Sequence, residues 1–165
     1  MSDSDHISAA IALARTGLQQ IQHEAARKLL AYDGEVYPRD GCAITLSTLL
    51  ADAGMTDLPP TYQALALGKL LQKRGWKVVP IGQQQQGDVG STCGSTPHHG
   101  FDHIYFVLQV LNQDEMVIAD NQSPQPHFRW ASGKGGKTPT KFFLRAPGQP
   151  ILEAGGGVGP ISSSA

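Results

Sequence analysis

The stretch HIYFVLQVLNQDEMVIAD (His103–Asp120) has the strongest strand pattern in this 165-residue sequence. Two runs rich in β-branched and aromatic residues flank the polar NQDE, which predicts a β-hairpin with strands at 103–111 and 116–120. Side chains alternate between the faces of a strand, so residues 103, 105 and 107 share one face and 104, 106 and 108 the other. The first residue of one hairpin strand lies beside the last residue of the next, so we expect Asp120 close to His103.

Helical patterns fill the chain ahead of this hairpin. Apolar residues recur at helical spacing over 7–32, and a second apolar stripe predicts a helix from Cys42 to Ala53. Thr61 is the expected N-cap of a third helix that runs to about Arg74. Shorter strand patterns lie at 76–81, 127–130 and 140–146, and the polar, Gly-rich stretch at 83–102 is predicted to be a loop.

This order of patterns predicts the fold class. Helices first and strands afterwards are typical of an α+β domain, here with N-terminal helices packed on one central antiparallel sheet. The length suits a single domain, which we place at residues 1–147. The Gly-, Ser- and Pro-rich segment 148–165 is predicted to be a flexible tail.

Composition and charge argue against several classes of protein. The net charge of −1 gives no basic field for nucleic acid or an anionic membrane surface, so we expect no nucleic-acid partner. No apolar run approaches the ~18 residues of a membrane span, and the N-terminus is acidic, unlike a Sec signal. The His-rich HHGFDH (98–103) lacks the helical spacing of a zinc site, so neither a metal nor a cofactor is predicted.

Cys42 follows Gly41 at the predicted start of the second helix. Unpaired N–H groups and the helix dipole at such a position lower the pKa of a thiol and can hold an oxyanion. Cys42 is therefore a candidate nucleophile with an expected low pKa. The alternative is a buried cysteine that fills the start of the helix.

A cysteine nucleophile needs a base, and the base needs an orienting partner. His103 is the candidate base and Asp120 the candidate orienting residue, with Asn121 as its substitute. Each has a structural alternative, since His103 could be a strand-edge histidine bonded to backbone and Asp120 a turn former. The remaining histidines outside the 98–103 segment are expected at the surface, and these are His6, His23 and His127.

Residues near Cys42 in the sequence are candidates for a pocket. Tyr37 and Asp40 lie just upstream of it, although an ordinary loop also uses such residues. The long loop before His103 contains His99, a further pocket candidate. One interpretation of this loop is a lid over the site. Another is a metal site made of Cys93, His98 and His99. A Cys42–Cys93 disulfide is a third interpretation of the same loop, whereas Asp88 is expected to be a turn residue.

Four segments together resemble the papain-like cysteine hydrolases: RDGCAITLSTLLADAG (39–54), QQGDVG (85–90), HIYFVLQVL (103–111) and VIADNQ (117–122). More narrowly, they resemble the CHAP and NlpC/P60 groups, which cleave amide bonds in peptidoglycan. The GCAIT run and the late Asp are also similar to C39-like peptidases. The resemblance covers residues 37–120, and it implies a papain-like fold with Cys42 as nucleophile, His103 as base and Asp120 as orienting residue.

The resemblance also implies a function. It is that of a cysteine amidohydrolase that cleaves peptidoglycan stem peptides, as an endolysin or as an antibacterial effector of contact-dependent (type VI) secretion. Such a protein would be made in the cytoplasm and reach the periplasm or target cell wall by a route without a Sec signal. An immunity protein that plugs the cleft is the expected partner. Two alternatives stay open: a C39-like peptidase or acyltransferase of the same fold, and a non-catalytic binding module in which Cys42 is structural.

Overall fold

The computed structural model describes residues 2–152, and its architecture confirms the predicted α+β class with helices packed on an antiparallel sheet. A short 3-10 turn at Asp3–His6 precedes the helices, which are α1 (Ile7–Thr16), α2 (Leu18–Asp33), α3 (Cys42–Asp52) and α4 (Ala64–Lys73). The strands are β1 (Lys77–Val79), β2 (Val89–Ser91), β3 (Ile104–Val110), β4 (Glu115–Ala119), β5 (His127–Trp130) and β6 (Phe142–Arg145). None of these helices has the length and apolar character needed to cross a membrane.

The end of the chain is described only in part. Residues 153–165 of the predicted tail lie outside the described residues. The part from 148 to 152 lies against the domain, because the Gln85 side chain donates to Pro150 O at 2.7 Å and accepts from Leu152 N–H at 2.9 Å.

The prediction of one long helix over 7–32 is wrong, because the chain forms two helices that meet at Gly17. Gly17 leaves helical geometry at φ −127°, and its N–H closes α1 on Leu13 O at 2.7 Å. A Cβ at Gly17 would lie 2.9 Å from the Leu13 side chain. The apolar pattern continues across the break because both helices bury their apolar residues in the same core.

The predicted N-cap of the third helix is also wrong. Helix α4 begins at Ala64, and the Thr61 hydroxyl donates to Pro59 O at 2.9 Å instead of capping it. The Thr61 N–H is taken by the Ser47 hydroxyl of α3 at 3.1 Å. Tertiary hydrogen bonding to α3 therefore replaces the local cap that the sequence pattern indicated.

The predicted loop at 83–102 contains a central strand of the sheet. The strand order is β1-β6-β2-β3-β4-β5, and β2 is fully buried between β6 and β3. Gly90 lies opposite Tyr105, and a Cβ on Gly90 would overlap the Tyr105 ring. The sequence pattern does not indicate this strand, because close packing under the Tyr105 ring requires a glycine, and glycine is uncommon in strands.

The two faces of β3 enter separate clusters of the core, as its alternation predicts. Ile104, Phe106 and Leu108 pack in the large cluster formed with the helices. Tyr105 and Val107 belong to a second cluster on the other face of the sheet. Strand β4 pairs with β3 so that Ala119 lies opposite Phe106, and β4 ends there. Asp120 thus leaves the sheet beside the end of β3 that follows His103.

Asp88 was expected to be a turn residue, and its side chain also holds the segment that leads into β2 by hydrogen bonds. Its buried carboxylate accepts from Arg145 Nε at 2.9 Å and Nη2 at 2.7 Å, and from Gln85 N–H at 2.9 Å. Burial raises the pKa of Asp88, against the opposing effect of the Arg145 guanidinium. The pair joins the start of β2 to its neighbour β6.

We expect Asp88→Ala to destabilise the protein by about 3 kcal/mol, because it leaves the Arg145 charge largely buried without a partner. Asp57→Ala is the matched control, since Asp57 pairs with Arg74 at the surface and its loss should change little. Urea unfolding at neutral pH measures both. Equal free energies of unfolding for the two variants would contradict this role of Asp88.

Candidate active site

The loop before α3 is held tightly against the first turn of that helix. The Tyr37 hydroxyl is hydrogen-bonded to Thr45 Oγ1 at 2.8 Å, and a Cβ on Gly41 would lie 2.8 Å from the Tyr37 ring. Asp40 takes the left-handed region at φ 54°. Burial raises the pKa of Tyr37 to about 12, so its hydroxyl stays neutral. Tyr37 therefore packs against the first turn of α3, and the role of Tyr37 and Asp40 in a pocket stays a prediction.

Cys42 is half-buried at the start of α3, where the backbone N–H groups of Ile104 and Ala43 lie near enough to its sulfur to favour the thiolate. Burial raises the pKa of the Cys42 thiol to about 11, although these two donors oppose the shift. The expected low pKa is therefore wrong. Removing the thiolate from water destabilises it by more than the N–H groups of Ile104 and Ala43 stabilise it.

The position of the sulfur follows from the end of β4. His103 O accepts from Thr92 N–H at 3.0 Å, so the backbone groups of His103 point toward β2 and those of Ile104 point the other way. On that other side β4 has already ended at Ala119, which pairs with Phe106. The Cys42 sulfur lies near the Ile104 N–H that a longer β4 would bind. The thiol is thus close to the backbone of the residue that follows His103.

His103 and Asp120 are joined directly, as the hairpin register predicts. Nε2 of His103 lies 2.8 Å from Oδ2 of Asp120, with the His103 side chain 8% exposed and that of Asp120 0%. The backbone N–H of His103 is held by Thr92 Oγ1 at 2.9 Å. Because an ionised carboxylate only accepts hydrogen bonds, the ring proton of His103 lies on Nε2, and Nδ1 is left as an acceptor.

Asp120 is shared with a second histidine. Nε2 of His127 lies 2.8 Å from Oδ1 of Asp120, and Gln122 N–H donates to the same oxygen at 2.9 Å. Burial opposes the charge, but the hydrogen bonds from His103 and His127 outweigh it and hold the pKa of Asp120 well below its usual range. Asp120 is therefore a buried carboxylate that stays ionised between two imidazoles.

His127 is the residue that the sequence prediction missed. It was expected at the surface, but it bonds Asp120 and its side chain is only 26% exposed. The signal was present, because β5 follows β4 in a meander and its first residue lies beside the last residues of β4. The same argument that placed Asp120 beside His103 applies to His127.

The other candidates take positions around this group. Asn121, the substitute for Asp120, instead donates through Nδ2 to Pro38 O at 2.8 Å and ties the loop before α3 to the end of β4. His99 is highly exposed, and its Nε2 lies 3.2 Å from Oδ2 of Asp40. The long loop thus contacts the segment that precedes Cys42.

The alternatives that involve Cys93 find no support in the described part of the chain. Both cysteines are free, which leaves the disulfide interpretation without a bond. Within residues 2–152, no group of three or more His, Cys, Asp or Glu is arranged to hold a metal ion, so Cys93, His98 and His99 form no such site. Cys93 is buried in the core with its N–H on Ser91 Oγ at 3.1 Å, and burial raises its pKa.

No family model, curated protein or solved structure matches this chain.

The chemistry of the site therefore rests on its own geometry. A neutral thiol lies at a helix start, near the backbone N–H of Ile104. The preceding residue, His103, has a free Nδ1 that can accept a proton and an Nε2–H that is held by a buried carboxylate. Within residues 2–152 no hydrogen bond joins the Cys42 sulfur to the His103 ring. The arrangement suits proton transfer during nucleophilic attack better than a preformed thiolate–imidazolium pair.

The raised pKa of Cys42 predicts how the thiol responds to pH. Since the pKa is about 11, the thiolate fraction at pH 7 is small, and iodoacetamide should alkylate Cys42 about a hundredfold more slowly than an unfolded thiol. The rate should keep rising above pH 9. Mass spectrometry of a Cys93→Ser variant isolates Cys42, and the urea-unfolded chain is the reference. A rate that levels off below pH 8 would contradict the burial argument.

Proposed function

We propose that this protein is a papain-like cysteine amidohydrolase that cleaves an amide bond in peptidoglycan stem peptides. Cys42 is the nucleophile and His103 is the general base. Asp120 orients the imidazole of His103 and stabilises its protonated form. The observation that carries the proposal is the buried hydrogen bond between His103 and Asp120, which lie 17 residues apart in the sequence. The start of α3 brings the Cys42 sulfur near the backbone N–H of Ile104, the residue that follows His103.

The first half-reaction forms an acyl-enzyme. The sulfur of Cys42 attacks the amide carbon while Nδ1 of His103 takes the thiol proton, since a thiol with a pKa of about 11 enters the reaction protonated. Asp120 stabilises the imidazolium that forms. The unpaired N–H groups at the start of α3 are the donors for the oxyanion. His103 then gives its proton to the leaving amine, and the C–N bond breaks.

The second half-reaction releases the acyl group. Water attacks the thioester, His103 accepts a proton from the water, and the proton returns to the Cys42 sulfur as the carboxylic acid leaves. The net change is amide plus water to acid plus amine. The reaction therefore needs no redox partner and no cofactor.

The substrate class is supported by the sequence resemblance to the CHAP and NlpC/P60 groups. We propose that the protein acts as an endolysin or as an effector delivered by type VI secretion, with an immunity protein as its partner in the latter case. The loops around Cys42 choose the substrate, so a C39-like peptidase or acyltransferase would share the same chemistry.

A non-catalytic binding module is the second candidate, and one observation favours it. The high pKa and burial of Cys42 are typical of a structural cysteine. The buried His103–Asp120 pair favours the hydrolase, because an ionised carboxylate bonded to one ring nitrogen is the arrangement that orients a catalytic imidazole.

We expect the purified protein to release peptide fragments from sacculi, and Cys42→Ala and His103→Ala to lower the rate by at least about a thousandfold. Asp120→Asn should retain part of the activity, since an amide oxygen still accepts from Nε2. Mass spectrometry of the released fragments identifies the bond cleaved.

Cys93→Ser and His23→Asn are the matched controls, one cysteine and one histidine outside the site, and both should keep wild-type activity. Full activity in Cys42→Ala would exclude covalent catalysis by this residue. Binding to sacculi without cleavage, equal in wild type and Cys42→Ala, would favour the binding module.

A further inference from the structure

The carboxylate of Asp120 serves two imidazoles at once, and the proposed reaction uses only one of them. Oδ2 bonds His103 and Oδ1 bonds His127, both at 2.8 Å. His103 is almost enclosed, whereas His127 keeps about a quarter of its side chain exposed. The second imidazole is therefore the one that exchanges protons more readily with solvent.

The groups around Asp120 come from four parts of the fold. Tyr37 from the loop before α3 and Cys42 from α3 itself face it, as does Tyr105 from β3. Burial raises the pKa of Tyr37 and Tyr105 to about 12 and that of Cys42 to about 11, so these three are neutral at physiological pH. Arg129 lies on the same face of β5 as His127, with its guanidinium 5.0 Å from the centre of the Tyr105 ring.

Among these neighbours, the two imidazoles are the side chains that can gain a positive charge by taking up a proton. One carboxylate offers one negative charge, so a proton on either imidazole reduces the attraction available to the other. The two positive rings would also repel each other across the buried carboxylate. Protonation of His127 must therefore oppose protonation of His103, and by linkage the effect is mutual.

We propose that His127 regulates this site through Asp120, as a positioning residue that opposes protonation of His103 and so extends to lower pH the range in which His103 acts as the base. The inference rests on the proposed function only in naming His103 as the base. Neutral His127 also donates to Oδ1 and helps to fix the carboxylate with Oδ2 toward His103. A neutral substitute that fills the same space would keep the packing and lose the coupling.

The test follows the ring nitrogens of His103 against pH by NMR in the 15N-histidine-labelled full-length chain. In His127→Asn the midpoint of the His103 titration should move up by about one pH unit, because Asp120 then serves a single imidazole. In His127→Lys it should move down, because the second group is then permanently positive. Opposite shifts from the two substitutions cannot come from a shared loss of packing.

His23→Asn is the control, because His23 is an exposed histidine on α2 and its loss should leave the His103 titration unchanged. The wild type itself provides a reading that needs no variant to fold, since each ring should titrate in two linked steps. A single-step titration of both rings in the wild type, or an unchanged His103 midpoint in the folded Asn and Lys variants, would overturn the inference.

Failure of this inference is separable from failure of the proposed function. Shifted titrations with no cleavage of sacculi by the wild type would leave the coupling established and remove the hydrolase. Cleavage by the wild type with unshifted titrations would do the reverse. Where both hold, the acid limb of the cleavage rate should move up in His127→Asn by the same amount as the His103 titration.

Discussion

The buried charge of Asp120 is the constraint on which the site depends. A carboxylate without solvent is stable only if hydrogen-bond donors surround it, and here the ring N–H groups of two histidines and the backbone N–H of Gln122 supply them. This demand fixes the tautomer of His103 and directs its free nitrogen away from the carboxylate. The base of the proposed reaction is thus a consequence of how one buried charge is satisfied.

The position of the thiol depends instead on where β4 ends and where α3 begins. Strand β4 ends before it can pair with Ile104, and the start of α3 brings a sulfur to the N–H that is left. The Cys42 sulfur at the start of α3 therefore lies near the Ile104 N–H that β4 leaves without a strand partner. The same burial raises the pKa of the thiol, so in the proposed reaction His103 takes the thiol proton at the moment of attack. Activation of the sulfur and orientation of the base are separate tasks, performed by different elements.

The mistaken predictions share a physical cause. Gly17 divides a continuous apolar pattern into two helices, and Gly90 forms part of a buried strand inside a polar, Gly-rich stretch. Periodicity and propensity describe what a segment does alone, and each of these glycines is set by a neighbouring side chain, Leu13 in the first case and Tyr105 in the second. Thr61 likewise exchanges its local cap for a contact with α3.

By itself, the sequence determined the α+β class, the β3–β4 hairpin and the approach of Asp120 to His103, because alternation and hairpin register are local rules that need no partner. Only the tertiary structure decided that β2 lies inside the sheet, that His127 shares the carboxylate, and that the Cys42 thiol has a raised rather than a lowered pKa. These depend on which groups from distant segments surround a given atom. The loss of solvent around the Cys42 thiol depends on these surrounding groups. Its effect on the pKa outweighs that of the helix dipole, which the sequence could indicate.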